Sequence, residues 1–173
     1  ILAPQMAVAR SPRSYNSQIG VPLSVWLLDE QSQVGIFEAG ISEPNEMQAL
    51  RDIIQPTIGV LTCLGAAHQE NFQSMEEKCN EKLKLFHDAQ CVVYGKDDAL
   101  VEHCMQQLNI KGERLAWSMH DTQAALYVSS AVKSDATTTI TYTWQGNTHC
   151  YTLPFIDDAS VMNSITCAAT ALH

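Results

Sequence analysis

The sequence predicts an α/β fold with a mainly parallel sheet, flanking helices and a small antiparallel hairpin region. Apolar runs at 58–64 and 90–95 have the length and the β-branched content of buried strands. Each run leads into a segment with helical spacing, and this alternation is typical of parallel sheets built from βαβ units. The runs near 126–131, 137–144 and 149–153 predict the antiparallel part, because Gln145-Gly146-Asn147 between the last two is a hairpin signal.

Five helices are predicted from apolar residues that recur every three or four positions. The first has Pro22 in its first turn, where proline is tolerated because the amide there needs no helical partner. A short strand at 33–38 follows, and Pro56 stops the second helix. The five helices are expected at about 21–29, 45–55, 74–86, 97–108 and 157–173.

The composition is that of one globular domain over residues 1–173. Hydrophobic residues make up 46% of the chain and charged residues 17%, which is unlike a disordered protein. The 19 acidic and 10 basic residues give a net charge of −9, which argues against nucleic acid or an anionic membrane surface as a partner. No apolar run is long enough to span a membrane.

The cysteines form no C-x-x-C pair and have no tight spacing. Most of them lie within apolar strand or helix patterns, so they are predicted to be reduced core residues of a cytoplasmic protein. They occupy positions 63, 79, 91, 104, 150 and 167.

Three side chains are candidate site residues from their positions in the chain. His68 follows the apolar run 58–64, at the carboxyl end of a strand, where ligands of open α/β sheets bind. Glu38 ends a short strand of its own. Lys82 lies beside the apolar face of the helix that begins near Ser74. The ordinary alternatives are a loop histidine, a solvated carboxylate and a lysine on a solvated helix.

The stretch from Gly65 to Lys82 resembles the central-domain signature of the Mur ligases. The resemblance implies a P-loop NTPase-like central domain, truncated at its amino terminus. It also implies that His68 and Lys82 are catalytic, with His68 binding a second magnesium ion and Lys82 carbamylated into a metal-binding anion. The sequence departs from the family at Lys84, where a glutamate is usual. The matching residues are Gly65-Ala-Ala-His68-Gln-Glu70, Phe72, Ser74 and Glu81-Lys82.

Two further loops are similar to the same family. Glu38 and Gly40 match its E-x-G motif, whose glutamate reaches magnesium and the ATP phosphates, and oxygen is the ligand that Mg²⁺ prefers. Ser14, Asn16 and Ser17 lie in a loop similar to S-[YF]-N-N-x-I-G-V-P, which faces the UDP-linked substrate and the phosphates. Ser17 stands where the second asparagine would be. On the sequence alone, helix capping explains the three residues better.

The resemblance implies an ATP- and Mg²⁺-dependent ligase of the bacterial cytoplasm. The most similar branch adds D-Ala-D-Ala to UDP-N-acetylmuramoyl-tripeptide through an acyl-phosphate during peptidoglycan synthesis. Asn163, in a looser match near the end of the chain, would contact adenine, and an exposed helix asparagine is the alternative. Details such as N-S-Q-I-G-V-P are most similar to members fused to a carboxyl-terminal alanine racemase.

No G-x-x-x-x-G-K-[ST] phosphate loop occurs in the 173 residues, and similar ligases carry that loop upstream of the matching segment. We therefore expect an excised piece of a ligase that is inactive by itself, and turnover by this chain alone would contradict that expectation. Two other classes stay open. One is a different ligase of the superfamily, such as folylpolyglutamate synthetase, against which the loop S-Y-N-S-Q-I-G-V-P argues. The other is a non-catalytic binding or structural domain.

Overall fold

The computed structural model describes residues 2–173, which form two compact units. The first unit contains the segments 2–57, 65–89 and 107–111, and the second contains 58–64, 90–106 and 112–173. The expectation of a single domain over 1–173 stays a prediction.

Eight strands and five α-helices build the described part of the chain. The strands are β1 (Val8–Arg10), β2 (Val34–Ile36), β3 (Ile58–Leu61), β4 (Cys91–Gly95), β5 (Glu113–Ser118), β6 (Leu126–Lys133), β7 (Thr138–Trp144) and β8 (Asn147–Leu153). The helices are α1 (Gly20–Val25), α2 (Glu46–Ile54), α3 (Met75–Leu83), α4 (Ala99–Gln107) and α5 (Asp158–Leu172). Short 3-10 turns lie at Gln69–Asn71 and Lys84–Phe86.

The first unit is built on a parallel pair of strands. β1 and β2 pair with Val8 opposite Val34 and Arg10 opposite Ile36. Because the two strands run in the same direction, the loops that leave them start at the same edge. α1, α2 and the adjoining loops enclose a small apolar core, whose buried members are Val21, Ile41, Met47, Leu50 and Phe72.

The second unit is a six-stranded sheet in the order β3-β4-β5-β6-β7-β8. The strands from β3 to β6 pair in parallel, and β6–β7 and β7–β8 pair antiparallel. Gln145 and Gly146 join the last two strands with φ values of 49° and 79°, as a type I′ hairpin turn requires. The predicted fold class, a mainly parallel α/β sheet with an antiparallel hairpin region, is confirmed.

Trp117 on β5 is the largest side chain in the buried core of this sheet and is 1% exposed. Its indole N–H donates a 3.0 Å hydrogen bond to the hydroxyl of Thr166 on α5, so burial leaves the nitrogen satisfied. The ring lies against Gly95 of the neighbouring strand. A Cβ at Gly95 would come within 2.6 Å of the ring, and glycine is therefore needed at this position.

The first helix is shorter than predicted, since α1 ends at Val25 rather than near residue 29. Its last turn tightens, because the amides of Leu27 and Leu28 bond to carbonyls three residues back. The chain then turns at Asp29, whose carboxylate accepts a 2.8 Å hydrogen bond from the Ser32 hydroxyl. The polar turn ends the helix within the apolar stretch that had suggested a longer one.

Strands β1 and β5 lie outside the predictions. β1 has only three residues, and β5 opens with the charged pair Glu113-Arg114, so neither reads as an apolar run. The cysteine prediction holds for Cys79, Cys91 and Cys104, which are buried, and is wrong for the exposed Cys63, Cys150 and Cys167. The last two lie on outer faces of β8 and α5. All six are free thiols, and none of the described helices is long and apolar enough to cross a membrane.

Candidate functional site

The predicted site residues of the first unit lie on three loops that are bonded to one another. The loop after β1 joins the loop after β2 through the amide of Gly40, which donates a 2.7 Å hydrogen bond to the carbonyl of Asn16. The segment 65–72 joins the second loop, because the Asn71 side chain donates a 2.9 Å hydrogen bond to the carbonyl of Ser42. Phe72 then enters the same core as Ile41. These contacts place the loops that carry Asn16, Glu38 and His68 side by side.

Asn16 and Glu38 form a direct pair. The side-chain amide of Asn16 donates a 2.9 Å hydrogen bond to Oε1 of Glu38, whose side chain is exposed. Gly40 makes this approach feasible, since a Cβ there would meet the Asn16 carbonyl oxygen at 3.2 Å and its Cγ at 3.1 Å. The amide orients a carboxylate that stays accessible to a cation from solvent.

His68 precedes the 3-10 turn Gln69–Asn71 in a left-handed backbone conformation, with φ 58° and ψ 22°. Histidine is among the residues that occupy this region more often than most, and such conformations concentrate at functional sites. The imidazole is exposed. Next to it, the side-chain oxygen of Gln69 is buried and has no hydrogen-bond partner within the described residues. The loop thus offers an exposed nitrogen ligand.

Lys78 is a site residue that the sequence analysis missed. It lies on α3 and is 1% exposed, and its ammonium donates a 2.7 Å hydrogen bond to the carbonyl of Gly65 and a further bond to that of Ala67. A buried ammonium is stable only when its protons are used, and these carbonyls use two of them. Lys78 therefore fixes the backbone immediately before His68.

The amino end of α3 is capped by two reciprocal hydrogen bonds. The hydroxyl of Ser74 accepts a 3.0 Å hydrogen bond from the Glu77 amide, and the Glu77 carboxylate accepts one of 2.6 Å from the Gln73 amide. This reciprocal arrangement is close to a capping box, and the pattern S-x-x-E signals it in the sequence. The cap fixes where α3 begins, and with it the position of Lys78.

Lys82 lies half-buried in the last turn of α3. The neighbouring Glu81 is 3% exposed and accepts a 3.2 Å hydrogen bond from the Met47 amide at the start of α2. Glu81 also forms a 2.5 Å ion pair with Lys84, the position at which the sequence departs from the Mur ligase pattern. Lys84, which replaces the usual glutamate, therefore forms an ion pair with Glu81 one turn earlier.

The other predicted site residues are placed as follows. Ser17 Oγ accepts a 3.1 Å hydrogen bond from the amide of Gly20, the first residue of α1, so its hydroxyl serves the start of this helix. Ser14 is exposed, and its carbonyl accepts a 2.9 Å bond from the Asn16 amide. Asn163 is exposed on α5 in the second unit.

The donor set on the three loops fits a hydrated Mg²⁺ ion. Mg²⁺ takes one or two carboxylates and keeps several waters. Glu38 supplies an exposed, oriented carboxylate, and His68 supplies an exposed imidazole on the adjoining loop. The carboxylate oxygen is the donor that a hard cation prefers.

The fold and these loops define an α/β domain of the type that binds ligands at the ends of its strands. The family model of the Mur ligase middle domain matches residues 2–171. The chain therefore belongs to the Mur ligase family, as the resemblance predicted.

Curated relatives and solved structures agree with this assignment. The UDP-N-acetylmuramoyl-tripeptide–D-alanyl-D-alanine ligase of Bacillus subtilis is 22% identical over the whole chain, and that of Haemophilus influenzae is 23% identical over 96% of it. The chain spans 37% and 36% of these proteins.

Among solved structures, MurF from Acinetobacter baumannii has a TM-score of 0.88 at 17% identity. The match covers 99% of this chain and 38% of the MurF chain. MurF from Thermotoga maritima, in complex with ADP, has a TM-score of 0.82 at 18% identity, covering 99% of this chain and 40% of its own. An FPGS structure from L. casei has a TM-score of 0.62 at 20% identity, covering 82% of this chain and 34% of its own. These likenesses concern the fold.

Proposed function

We propose that the protein containing this chain is an ATP-dependent ligase that adds D-Ala-D-Ala to UDP-N-acetylmuramoyl-tripeptide in peptidoglycan synthesis. The full-length relatives with that name support the substrates, and the match of the chain to the middle domain supports its place in such an enzyme. Because the reaction consumes ATP, we place it in the bacterial cytoplasm. The structural observation that carries the proposal is the pairing of Asn16 with Glu38 beside the His68 loop.

The proposed roles follow from the contacts of each side chain. Glu38 and His68 would hold Mg²⁺, with Asn16 fixing the direction in which the Glu38 carboxylate faces. Lys78 holds the loop that presents His68, so the imidazole is positioned before a ligand arrives. When bound, Mg²⁺ and ATP supply charge neutralisation and the phosphoryl group that activates the substrate carboxylate.

The remaining expected site residues have weaker support. Ser14 and Asn163 are exposed and stay proposed contacts for the phosphates or substrate and for adenine, respectively, while the hydroxyl of Ser17 is used by the amide of Gly20. Carbamylation of Lys82 is left out of the proposed function, because the relatives named above do not support it. An intact mass larger by one CO₂, absent from the Lys82→Arg variant, would restore it.

Two of the broader expectations are not part of the proposal. The relatives named above carry ligase names and no racemase name, so an alanine racemase activity has no support. Folylpolyglutamate synthesis is not favoured, because the FPGS structure covers less of the chain than MurF and matches it less closely.

The test is ligase turnover by the full-length protein, followed as phosphate release that requires both UDP-N-acetylmuramoyl-tripeptide and D-Ala-D-Ala. We expect turnover in the wild type and a loss of at least about 100-fold in Glu38→Gln, the scale seen when a stabilising group is removed from an active site. His68→Asn should lose turnover to a similar extent. Asparagine is chosen because it tolerates the left-handed backbone conformation of His68. Glu43→Gln, which removes another exposed carboxylate from the same loop, serves as the matched control. Full turnover in Glu38→Gln and His68→Asn would overturn the proposal.

A further inference from the structure

A second group of metal-binding side chains lies in the second unit. One ligand atom from each of Cys91, Glu113 and His173 lies within 4.8 Å of those of the other two. Nδ1 of His173 is 4.0 Å from Oε2 of Glu113. Cys91 is buried, while Glu113 and His173 are exposed, so the group reaches from the core of the sheet to the solvent.

The sheet brings the first two side chains together. Cys91 and Glu113 are the first residues of β4 and β5, and they are direct partners in the parallel register. Register partners on adjacent strands project to the same face of a sheet. The pairing explains why a buried thiol and an exposed carboxylate meet although they are far apart in the sequence.

Helix α5 places the third side chain, His173, near the other two. Val161, Ile165 and Ala169 repeat every four residues and pack with Cys91 in one apolar core. His173 continues that spacing, and residues four apart lie on the same face of a helix. The imidazole is therefore directed toward the start of β4, from the carboxyl end of the helix.

The group lies at the amino ends of β4 and β5. Ligands of open parallel sheets bind outside the carboxyl ends of the strands, so this location does not belong to the usual nucleotide site. Its donor set also differs, because sulfur and nitrogen join a single carboxylate oxygen. Thiolate sulfur is a soft ligand that Mg²⁺, a hard cation, does not favour.

We propose that Cys91, Glu113 and His173 bind a zinc-type cation. Thiolate, imidazole and carboxylate are the protein ligands of Zn²⁺, and three of them leave one tetrahedral position for water. On binding, a sulfur–metal bond replaces the S–H bond of Cys91, and the proton passes to solvent. The bound ion would join the end of α5 to the first residues of two central strands.

The test is a Co²⁺ titration of the full-length protein after chelation and removal of the chelator, with Mg²⁺ in excess to occupy oxygen sites. Co²⁺ replaces Zn²⁺ in such sites, and a thiolate ligand produces a charge-transfer band in the near ultraviolet. We expect one equivalent of Co²⁺ to produce this band and Zn²⁺ to abolish it by displacement. Zn²⁺ should also raise the melting temperature, because it binds the folded state.

Variants identify the ligands. Cys91→Ser should abolish the band, and Glu113→Gln and His173→Gln should each weaken Co²⁺ binding by more than about tenfold, the least that the loss of a supporting partner causes. The last two side chains are exposed, so these variants keep the fold even if Cys91→Ser does not. Cys167→Ser and His149→Gln are the matched controls and should bind as the wild type does.

Three results would overturn the proposal. The first is a protein without the charge-transfer band at saturating Co²⁺. The second is wild-type Co²⁺ affinity in both Glu113→Gln and His173→Gln, which would show that these two side chains are not ligands. The third is an ion pair of Glu113 and His173 without a metal, in which case His173→Gln lowers the melting temperature by the same amount with and without Zn²⁺.

Discussion

The ammonium of Lys78 lies 2.7 Å from the carbonyl oxygen of Gly65 and holds the loop that carries His68. The lysine is 1% exposed, whereas Gly65 and His68 are exposed, so the core of the first unit anchors a surface loop through one buried cation. The arrangement combines an accessible imidazole with a fixed backbone. Such preorganisation is what a phosphate or metal site needs.

Replacing Lys78 with methionine should loosen this loop. Methionine keeps most of the apolar stem but removes the donors, and hydrogen bonds to charged groups contribute about 1.5–3 kcal/mol each. Because water can reach the released carbonyls, we expect a loss of about 2 kcal/mol in the free energy of unfolding, measured by urea denaturation. Amide exchange should accelerate at Gln69 and Phe72, whose amides bond within the loop.

Lys111→Met is the control for this experiment, since Lys111 is an exposed lysine of the same unit. It should leave both the free energy of unfolding and the loop amides unchanged. If Lys78→Met leaves the exchange of Gln69 and Phe72 at the wild-type rate, Lys78 does not hold the loop.

Gly40→Ala should separate Asn16 from Glu38. A Cβ at Gly40 would lie 3.1 Å from Cγ and 3.2 Å from the carbonyl oxygen of Asn16, so the asparagine must move. We expect the side-chain amide resonances of Asn16 to shift and stability to fall by about 1 kcal/mol or more. Gly65→Ala is the control, because a Cβ there meets nothing within 4 Å. Unchanged Asn16 resonances in Gly40→Ala would contradict the described contact.

Ser74→Ala should destabilise α3 by removing its cap. The Glu77 amide would lose its 3.0 Å hydrogen bond, and replacing a serine cap by alanine costs about 1 kcal/mol. Ser74→Thr should retain most of the stability, since threonine also caps. Thermal and urea denaturation of the two variants measure the difference. Equal stability of the alanine and threonine variants would show that the cap contributes nothing.

Low pH should weaken the amino end of α5. The hydrogen bond from the Ser160 amide to the Asp157 carboxylate lowers the pKa of Asp157 below its ordinary value of 3.8. A carboxyl whose pKa is lower in the folded state stabilises the protein above its unfolded pKa, and the contribution is lost as the pH falls through the folded pKa. The loss should therefore occur below about pH 4.

Asp157→Asn isolates this effect, because asparagine caps a helix without titrating. Urea denaturation between neutral and acidic pH should show a smaller loss of stability in the variant than in the wild type. The neighbouring charges are Asp158 and Lys133, which form a 2.6 Å pair and are the same in both proteins. Identical pH profiles would contradict the assignment of the cap.

Strand and helix order in most of the chain follows from the sequence, because apolar periodicity and turn residues agree there. The run at Cys91–Gly95 and the hairpin at Gln145 and Gly146 are examples. β5 was missed since Glu113 and Arg114 interrupt the apolar pattern, yet neighbouring strands pair with it through the backbone. Side-chain periodicity therefore does not reveal a strand that is held by backbone hydrogen bonds.

The sequence was sufficient to select candidate site residues, but not to predict the contacts between them. Glu38, Asn16 and His68 could be selected from their motifs, but the bond between Asn16 and Glu38 depends on the close approach that Gly40 permits. Lys78 was not selected, because helical periodicity cannot show that two loop carbonyls lie within hydrogen-bond reach of its ammonium. His173 joins Cys91 only through the packing of α5, which the sequence alone does not reveal.

The central claim is that Glu38 and His68 bind the magnesium–nucleotide complex, and its most direct test is calorimetric titration of the full-length protein with ADP and Mg²⁺. We expect Glu38→Gln and His68→Asn each to weaken binding by about tenfold or more, which corresponds to about 1.4 kcal/mol. Glu43→Gln should bind like the wild type, and melting temperatures should confirm that all variants are folded. Wild-type affinity in folded Glu38→Gln and His68→Asn would contradict the claim.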